Sequence, residues 1–159
     1  MTQPILVVGG TGRTGRHVVW KLLERGYGVR VLTRDTQQAR RLFHSEIEYV
    51  QGNVGAPETL VDAVRGARTI ITAAYGGNRE RPEIVDYQGT RNLLELAKAE
   101  GVHPFIFTST IYVTRPDHYL NADGQILTWK GRAEALIRAS GIPYTVFYLD
   151  ATPSSTTSQ

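Results

Sequence analysis

The chain has 159 residues, is 41% apolar and 21% charged, and carries a net charge of +3, which suits one soluble domain with a genuine core. It contains no apolar run of about 18 residues to cross a bilayer and no charged and apolar leader with a cleavage site, so no membrane partner is expected. It has no cysteine, which excludes disulfides, thiol catalysis and cysteine-based metal sites and fits a cytoplasmic setting.

Residues 4–8 form an apolar run that reads as a buried strand. Residues 13–26 read as a helix, with Val18, Val19, Leu22 and Leu23 on one face and Gly26 as its stop. Residues 29–32 are a second strand, 36–43 a short helix, and 47–50 a third strand ended by Gly52 and Asn53. Pro57 opens a helix to about Val64, because proline suits a first helical turn. Residues 68–74 are a strand, and Gly76, Gly77 and Asn78 make a loop. Pro82 opens a long helix that stops at Gly101. Residues 105–108 are a fifth strand, followed by a polar loop to Gly124, a helix over 127–140 stopped by Gly141, and a sixth strand over 144–149. Strands and helices alternating at this spacing build βαβ units. Right-handed crossovers then give a three-layer, doubly wound α/β Rossmann fold with a parallel sheet of about six strands. Residues 1–150 are expected to be that domain, and the Ser/Thr-rich residues 151–159 a disordered tail.

Residues 9–15 read GGTGRTG between the first strand and the first helix. Gly10, Gly12 and Gly15 satisfy G-x-G-x-x-G, while Gly9, Gly12 and Gly15 satisfy G-x-x-G-x-x-G. Between a strand and a helix this loop suits a dinucleotide phosphate. Glycine lets a phosphate approach with no Cβ in the way, and the first helical N–H groups lie unpaired at the positive end of the dipole. A glycine-rich turn without a ligand is the bland alternative; the agreement of strand, loop, helix and second strand argues against it. Beyond the second strand, Asp35 has the spacing of the acidic residue that binds a ribose 2′-hydroxyl in NAD sites. Arg34 beside it, and Arg13 in the loop, offer planar cationic forks for a 2′-phosphate. Two arginines near one position favour NADP, with a solvated surface charge as the alternative for Arg34. Residues 1–43 hold eight Lys or Arg against two acidic residues. Such local basicity suits a compact anionic ligand; no nucleic-acid module is visible, and no nucleic acid is expected as a partner.

The segments VVGGTGRTG (7–15), VRVLTRD (29–35), VQGNV (50–54) and GARTIITAAYG (66–76) together resemble the atypical short-chain dehydrogenases/reductases, the NAD(P)H-binding or NmrA-like group. RPEIVDYQGTRNLLELAKAEGV (81–102), TRPDHYLN (114–121) and ILTWKGRAEALIRASGIPYT (126–145) resemble a plant and cyanobacterial subgroup of it. The resemblance covers residues 4 to about 146. It implies the G-x-x-G-x-x-G register, with Gly9, Thr11, Gly12, Arg13, Thr14 and Gly15 along the pyrophosphate and adenosine ribose. It implies NADP (NADPH) as cofactor, with Arg34 at the NADP-associated arginine position. Asn53 and Val54 match the pair that faces adenine, Asn keeping the side-chain acceptor and losing the charge of the usual Asp. Ala73, Ala74 and Tyr75 fall where the cofactor ribose passes, and Thr108, Ser109 and Thr110 at the catalytic Ser/Thr position. Lys130, followed by Glu134, matches the lysine end of Y-x-x-x-K, where the lysine holds the nicotinamide ribose and lowers the tyrosine pKa. Ile126 stands where that tyrosine would be, so the usual proton donor is missing. Lys130, Ser109 and Thr110 are the catalytic candidates; a solvated helix lysine is the alternative for Lys130, and Trp129 is read as packing.

His17, His44, His103 and His118 show no ligand spacing, so no metal is expected, and only His118 lies in a loop that should approach the cofactor. Tyr112 and Tyr119 are phenols able to supply a proton from another direction. The resemblance also implies an Arg and a Gly-Gly after Tyr144 and Thr145, but here Val146 is followed by FYLD. The substrate lobe is therefore expected to be shortened, and a second subunit covering the gap would make a homodimer. The leading reading is an NADPH-dependent oxidoreductase that passes hydride directly to an unknown small-molecule acceptor (a flavin, quinone or carbonyl). The biliverdin and flavin reductase branch, which also lacks the tyrosine motif, makes a flavin the first acceptor to test. The other readings are a non-catalytic NADP sensor of the NmrA-like type and a degenerate fragment that binds nothing.

Overall fold

The computed structural model describes residues 2–43, 46–77, 80–122 and 124–150; the expected tail over 151–159, His44 and Asn78 lie outside them. In chain order the elements are β1 (Ile5–Val8), α1 (Arg13–Glu24), β2 (Val29–Thr33), α2 (Thr36–Leu42), β3 (Glu48–Gln51), α3 (Val61–Val64), β4 (Thr69–Thr72), α4 (Gly89–Glu100), β5 (Phe105–Thr110), α5 (Ile126–Ala139) and β6 (Tyr144–Leu149). The strands pair in parallel in the order β3-β2-β1-β4-β5-β6. The chain steps outward through β2 and β3, crosses back past β1, and steps outward the other way. Right-handed crossovers then put α1 and α2 on one face and α3, α4 and α5 on the other. Alternation along β1 sends Ile5 and Val7 into one core with Val19, Val31 and Phe43. It sends Leu6 and Val8 into the other with Leu60, Leu93, Phe105, Phe107 and Ile137. The result is the expected three-layer Rossmann fold. Its strand order reverses between β1 and β4, the point where such sheets bind ligands at their carboxyl ends.

Three connections differ from the sequence expectation. The helix expected from Pro57 to Val64 is a 3-10 turn over Pro57–Thr59 followed by the short α3. Thr59 Oγ1 donates to Ala56 O at 2.7 Å and accepts from Asn53 N–H at 3.0 Å, which ties this first turn back to the end of β3. The helix expected from Pro82 opens as a wide π turn over Glu83–Gln88, which buries both Val85 and Asp86 before α4 begins. The polar loop expected to Gly124 contains a 3-10 turn, Tyr119–Asn121. Asn121 Oδ1 accepts from the N–H groups of Leu127 and Thr128 at 2.9 and 3.2 Å, so the start of α5 is capped by a side chain from outside the helix. At the sheet edge, Tyr148 turns its hydroxyl toward Glu134 of α5. Its neighbours Phe147 and Leu149 therefore point to the opposite face, where both stay exposed.

Candidate functional site

At the carboxyl end of β1 the chain must turn sharply into α1. Gly9 does so at φ +76°, and a Cβ there would lie 2.7 Å from Ala74 N, just beyond β4. A side chain is excluded twice, by dihedral and by space. A Cβ on Gly15 would stand 2.0 Å from the Gly9 carbonyl oxygen, so α1 approaches the loop this closely only with glycine. Gly12 N–H donates to Gly9 O at 3.0 Å. Gly12 is also the N-cap of α1, with neither a side-chain cap nor an acidic residue in the first turn. The N–H groups of that turn lack internal partners, and Gly12, Arg13 and Thr14 line a cleft. Gly10 differs, since a Cβ there would meet only the Val31 and Val19 side chains, at 3.1 and 3.3 Å. The backbone thus demands glycine at position 9 more than at position 10, which favours the G-x-x-G-x-x-G register.

The cleft, of about 1520 Å³, crosses the strand ends at the switch point and exceeds the ~300–1,000 Å³ of most small-ligand pockets. Gly9, Thr11, Gly12, Arg13, Thr14, Arg34, Asn53, Val54, Ala73, Ala74, Tyr75, Thr108, Ser109, Thr110 and Lys130 line it. Gly15 lies behind them, against Gly9. At one end Asp35 also lines the cleft, and its Oδ1 accepts from Gln38 N–H at 2.9 Å and caps α2, so one oxygen of the carboxylate at the NAD spacing is engaged in the fold. Arg34 Nη1 lies 3.1 Å from Glu80 Oε2, and Asn53 Nδ2 donates to Glu80 Oε1 at 3.0 Å. Asn53 Oδ1 accepts from Gly55 N–H at 2.8 Å; the acceptor expected to face adenine is used within its own turn.

At the other end Lys130 is only 7% exposed, against the reading of a solvated helix lysine. Its Nζ lies 2.8 Å from Asp86 Oδ1, donates to Thr108 O at 3.3 Å, and stands 5.1 Å from the Phe107 ring centroid. Asp86 is 1% exposed and accepts the Gly76 N–H on Oδ2 at 2.9 Å. Burial raises the Asp86 carboxyl above the ordinary carboxylate range, while the Lys130 ammonium and the Gly76 N–H pull it back. This pair joins α5, the π turn and the loop after β4. Ser109 Oγ, expected as a catalytic hydroxyl, donates instead to Glu134 Oε1 in a buried contact. Glu134 Oε2 in turn accepts from Arg138 Nη2 and from the Tyr148 hydroxyl, both at 2.9 Å. Thr110 Oγ1 accepts from Tyr112 N–H at 3.4 Å. Ile126 is buried and lines the cleft where the tyrosine of the motif would stand. His118 stacks on Tyr112 at 4.2 Å between centroids, and its Nδ1 accepts from Leu120 N–H. Burial and the Asp150 carboxylate raise the Tyr112 phenol above its ordinary value, so it holds its proton. Trp129 packs on Tyr87 and beneath Arg132.

Sequence reasoning did not single out Asp86, Glu80 or the bonding of Glu134. Asp86 carried a signal, because it shares the inward stripe of its helix with Gly89, Thr90, Leu93 and Ala97, all buried. A lone carboxylate on such a stripe needs a partner. Glu80 carried none; it is bridged to Gly77, whose N–H donates to Glu80 O at 3.0 Å. Among the described residues no group of three or more His, Asp or Glu could hold a metal ion. No described helix is long and apolar enough to cross a membrane.

A glycine cradle, a helix start and a cleft at the switch point agree with the match found over residues 9–153 to the family described as NAD(P)H-binding. The chain belongs to that family, within the atypical short-chain dehydrogenases/reductases. It is 35% identical over 151 residues to the photosystem II assembly factor Ycf39 of Trieres chinensis, covering 91% of this chain and 44% of that protein. It is 30% identical over 183 residues to sanguinarine reductase of Eschscholzia californica, covering 89% of this chain and 67% of that protein. The NADPH-dependent quinone oxidoreductase QOR2 of Escherichia coli, solved with NADPH, superposes with a TM-score of 0.73 at 22% identity, covering 89% of this chain and 47% of that one. That last likeness is one of fold. The chain spans about half the length of most of the curated relatives it matches.

Proposed function

We propose that this chain binds NADPH in the cleft and acts as a reductase that transfers hydride to a flat acceptor, a flavin or quinone ahead of a simple carbonyl. One observation carries the preference for NADP. Arg34 and Asp35 both line the cleft just beyond β2, where Arg34 supplies a cation while Asp35 has one carboxylate oxygen tied into the cap of α2. The cradle fits the cofactor, since Gly9 and Gly12 line the cleft with backbone and no side chain and the open first turn of α1 suits a pyrophosphate. Gly9, Gly12, Arg13 and Thr14 would hold that pyrophosphate, Arg34 the 2′-phosphate, Val54 the adenine, and Lys130 the nicotinamide ribose. When bound, the reduced nicotinamide supplies the hydride. The chain itself orients and shields. Asp86 holds Lys130 against Thr108 O at the end of β5, and Ile126 and Leu127 give that end of the cleft an apolar wall suited to a flat acceptor. With isoleucine at position 126, solvent supplies the proton. Relatives and fold neighbours named as reductases of sanguinarine and of quinones support this acceptor class.

A non-catalytic NADP sensor is the second reading, favoured by a specific feature: Ser109 and Lys130 are both engaged in internal contacts. Two measurements on the purified protein separate the readings. A thermal-shift titration with NADPH, NADP⁺, NADH and NAD⁺ tests binding, because a ligand that binds only the native state raises the melting temperature by mass action. Loss of reduced-nicotinamide absorbance with FMN, a benzoquinone and an aldehyde tests turnover. Turnover supports the reductase, binding without turnover supports the sensor, and no stabilisation by any dinucleotide refutes both.

A further inference from the structure

We infer that Glu80 sets the balance between NADP and NAD, its carboxylate competing with a 2′-phosphate for Arg34 and accepting from a free 2′-hydroxyl when no phosphate is present. The inference rests on the dinucleotide reading above. Glu80 follows β4, yet its side chain reaches past β1 to groups that follow β2 and β3. The Gly77 N–H donates to the Glu80 carbonyl oxygen and fixes the Glu80 backbone there. Each carboxylate oxygen has one partner, Oε2 on Arg34 and Oε1 on Asn53. These partners are two of the polar side chains that the sequence puts at the adenosine end of the cleft. A phosphate on Arg34 Nη1 would meet a carboxylate already 3.1 Å from that nitrogen. Two anions on one guanidinium repel each other, so the phosphate binds against the Glu80 charge or displaces it from its ion pair. A ribose with a free 2′-hydroxyl makes no such demand. It needs only an acceptor, and a carboxylate is the group that nucleotide sites of this fold use for it. Asp35, which has the sequence spacing for that role, lines the same cleft with Oδ1 held in the cap of α2, and Glu80 brings a second carboxylate to it. Arg34 therefore favours NADP, and Glu80 limits how strongly.

Calorimetric titration of NADPH and NADH into the wild type, Glu80→Gln, Arg34→Ala and the double variant tests this. Glutamine keeps an oxygen for Asn53 and removes the charge. Glu80→Gln is expected to bind NADPH about twofold to fivefold more tightly, the range of a half-exposed ion pair, and NADH no more tightly. The gain should vanish in the Arg34→Ala background. A gain of affinity cannot come from unfolding. Unchanged or weaker NADPH binding by Glu80→Gln, or an equal gain without Arg34, overturns the inference while the nucleotide reading stands. A wild-type protein that binds no dinucleotide overturns the nucleotide reading itself.

Discussion

Replacing Lys130 by methionine would leave the Asp86 carboxylate buried without its cation. The two charges lie 2.8 Å apart, with side chains 8% and 0% exposed. At an effective dielectric near 20 their attraction is about 6 kcal/mol. The desolvation of Asp86 persists in the variant, so the expected loss of stability is about 3–5 kcal/mol, a large share of the ~5–15 kcal/mol typical of a domain. With a urea slope of about 1–3 kcal/mol/M, the unfolding midpoint should fall by roughly 2 M. Asp86→Asn combined with Lys130→Met should recover at least half of the loss, because the amide still accepts the Gly76 N–H. The pH dependence has a definite sign. Burial already holds the Asp86 carboxyl above its ordinary value, and Lys130 opposes that; without Lys130 it rises further. A group raised in the folded state contributes stability that is present at low pH and lost as pH rises through its folded value. The deficit of Lys130→Met relative to the wild type should therefore shrink between about pH 8 and pH 5. Urea unfolding followed by circular dichroism at both pH values measures this. A neutral-pH midpoint within about 0.5 M of the wild type, or a deficit that widens on acidification, would refute the reasoning.

Gly15→Ala should unfold at markedly lower urea and lose NADPH affinity, because its Cβ would stand 2.0 Å from Gly9 O, whereas a Cβ on Gly26, at φ +76°, meets nothing within 4 Å. Gly26→Ala should cost only the backbone strain, about 1 kcal/mol; similar losses in the two variants would contradict the close-approach argument. Arg34→Ala should weaken NADPH about tenfold to a hundredfold, the worth of a hydrogen bond to a charged group, and NADH far less; equal losses in calorimetry would remove the 2′-phosphate role. Ser109→Ala should cost about 1.5–3 kcal/mol in urea unfolding, the range of a hydrogen bond to a charged group, and no more, since Arg138 and Tyr148 still hold Glu134. Its turnover per folded molecule should match the wild type, and a collapse of turnover with normal stability would return Ser109 to the chemistry.

The strands and helices were legible because their causes are local. Runs such as Ile5–Val8 and Val29–Thr33 form strands from β-branched and apolar side chains, and Gly26, Gly101 and Gly141 end helices at positive φ. Right-handed crossovers then leave few ways to order six such units, and the glycine loop fell at the switch point where nucleotide sites of this fold lie. Local information ran out where a residue's role depends on one distant in sequence. The letters of GGTGRTG fit two registers, and the contact of a Cβ on Gly9 with the Ala74 backbone, against side chains alone at Gly10, favoured one. Arg34 and Asp35 were both offered to the ribose, and the cap on α2 engaged one Asp35 oxygen while the segment after β4 brought Glu80 to Arg34. Lys130 was found by spacing, yet its burial came from Asp86 on another helix. By itself the sequence determined the elements, their order and the nucleotide loop, because periodicity and backbone propensity act within a few residues. Only the tertiary structure decided which charges meet, because crossover direction and strand order set those distances.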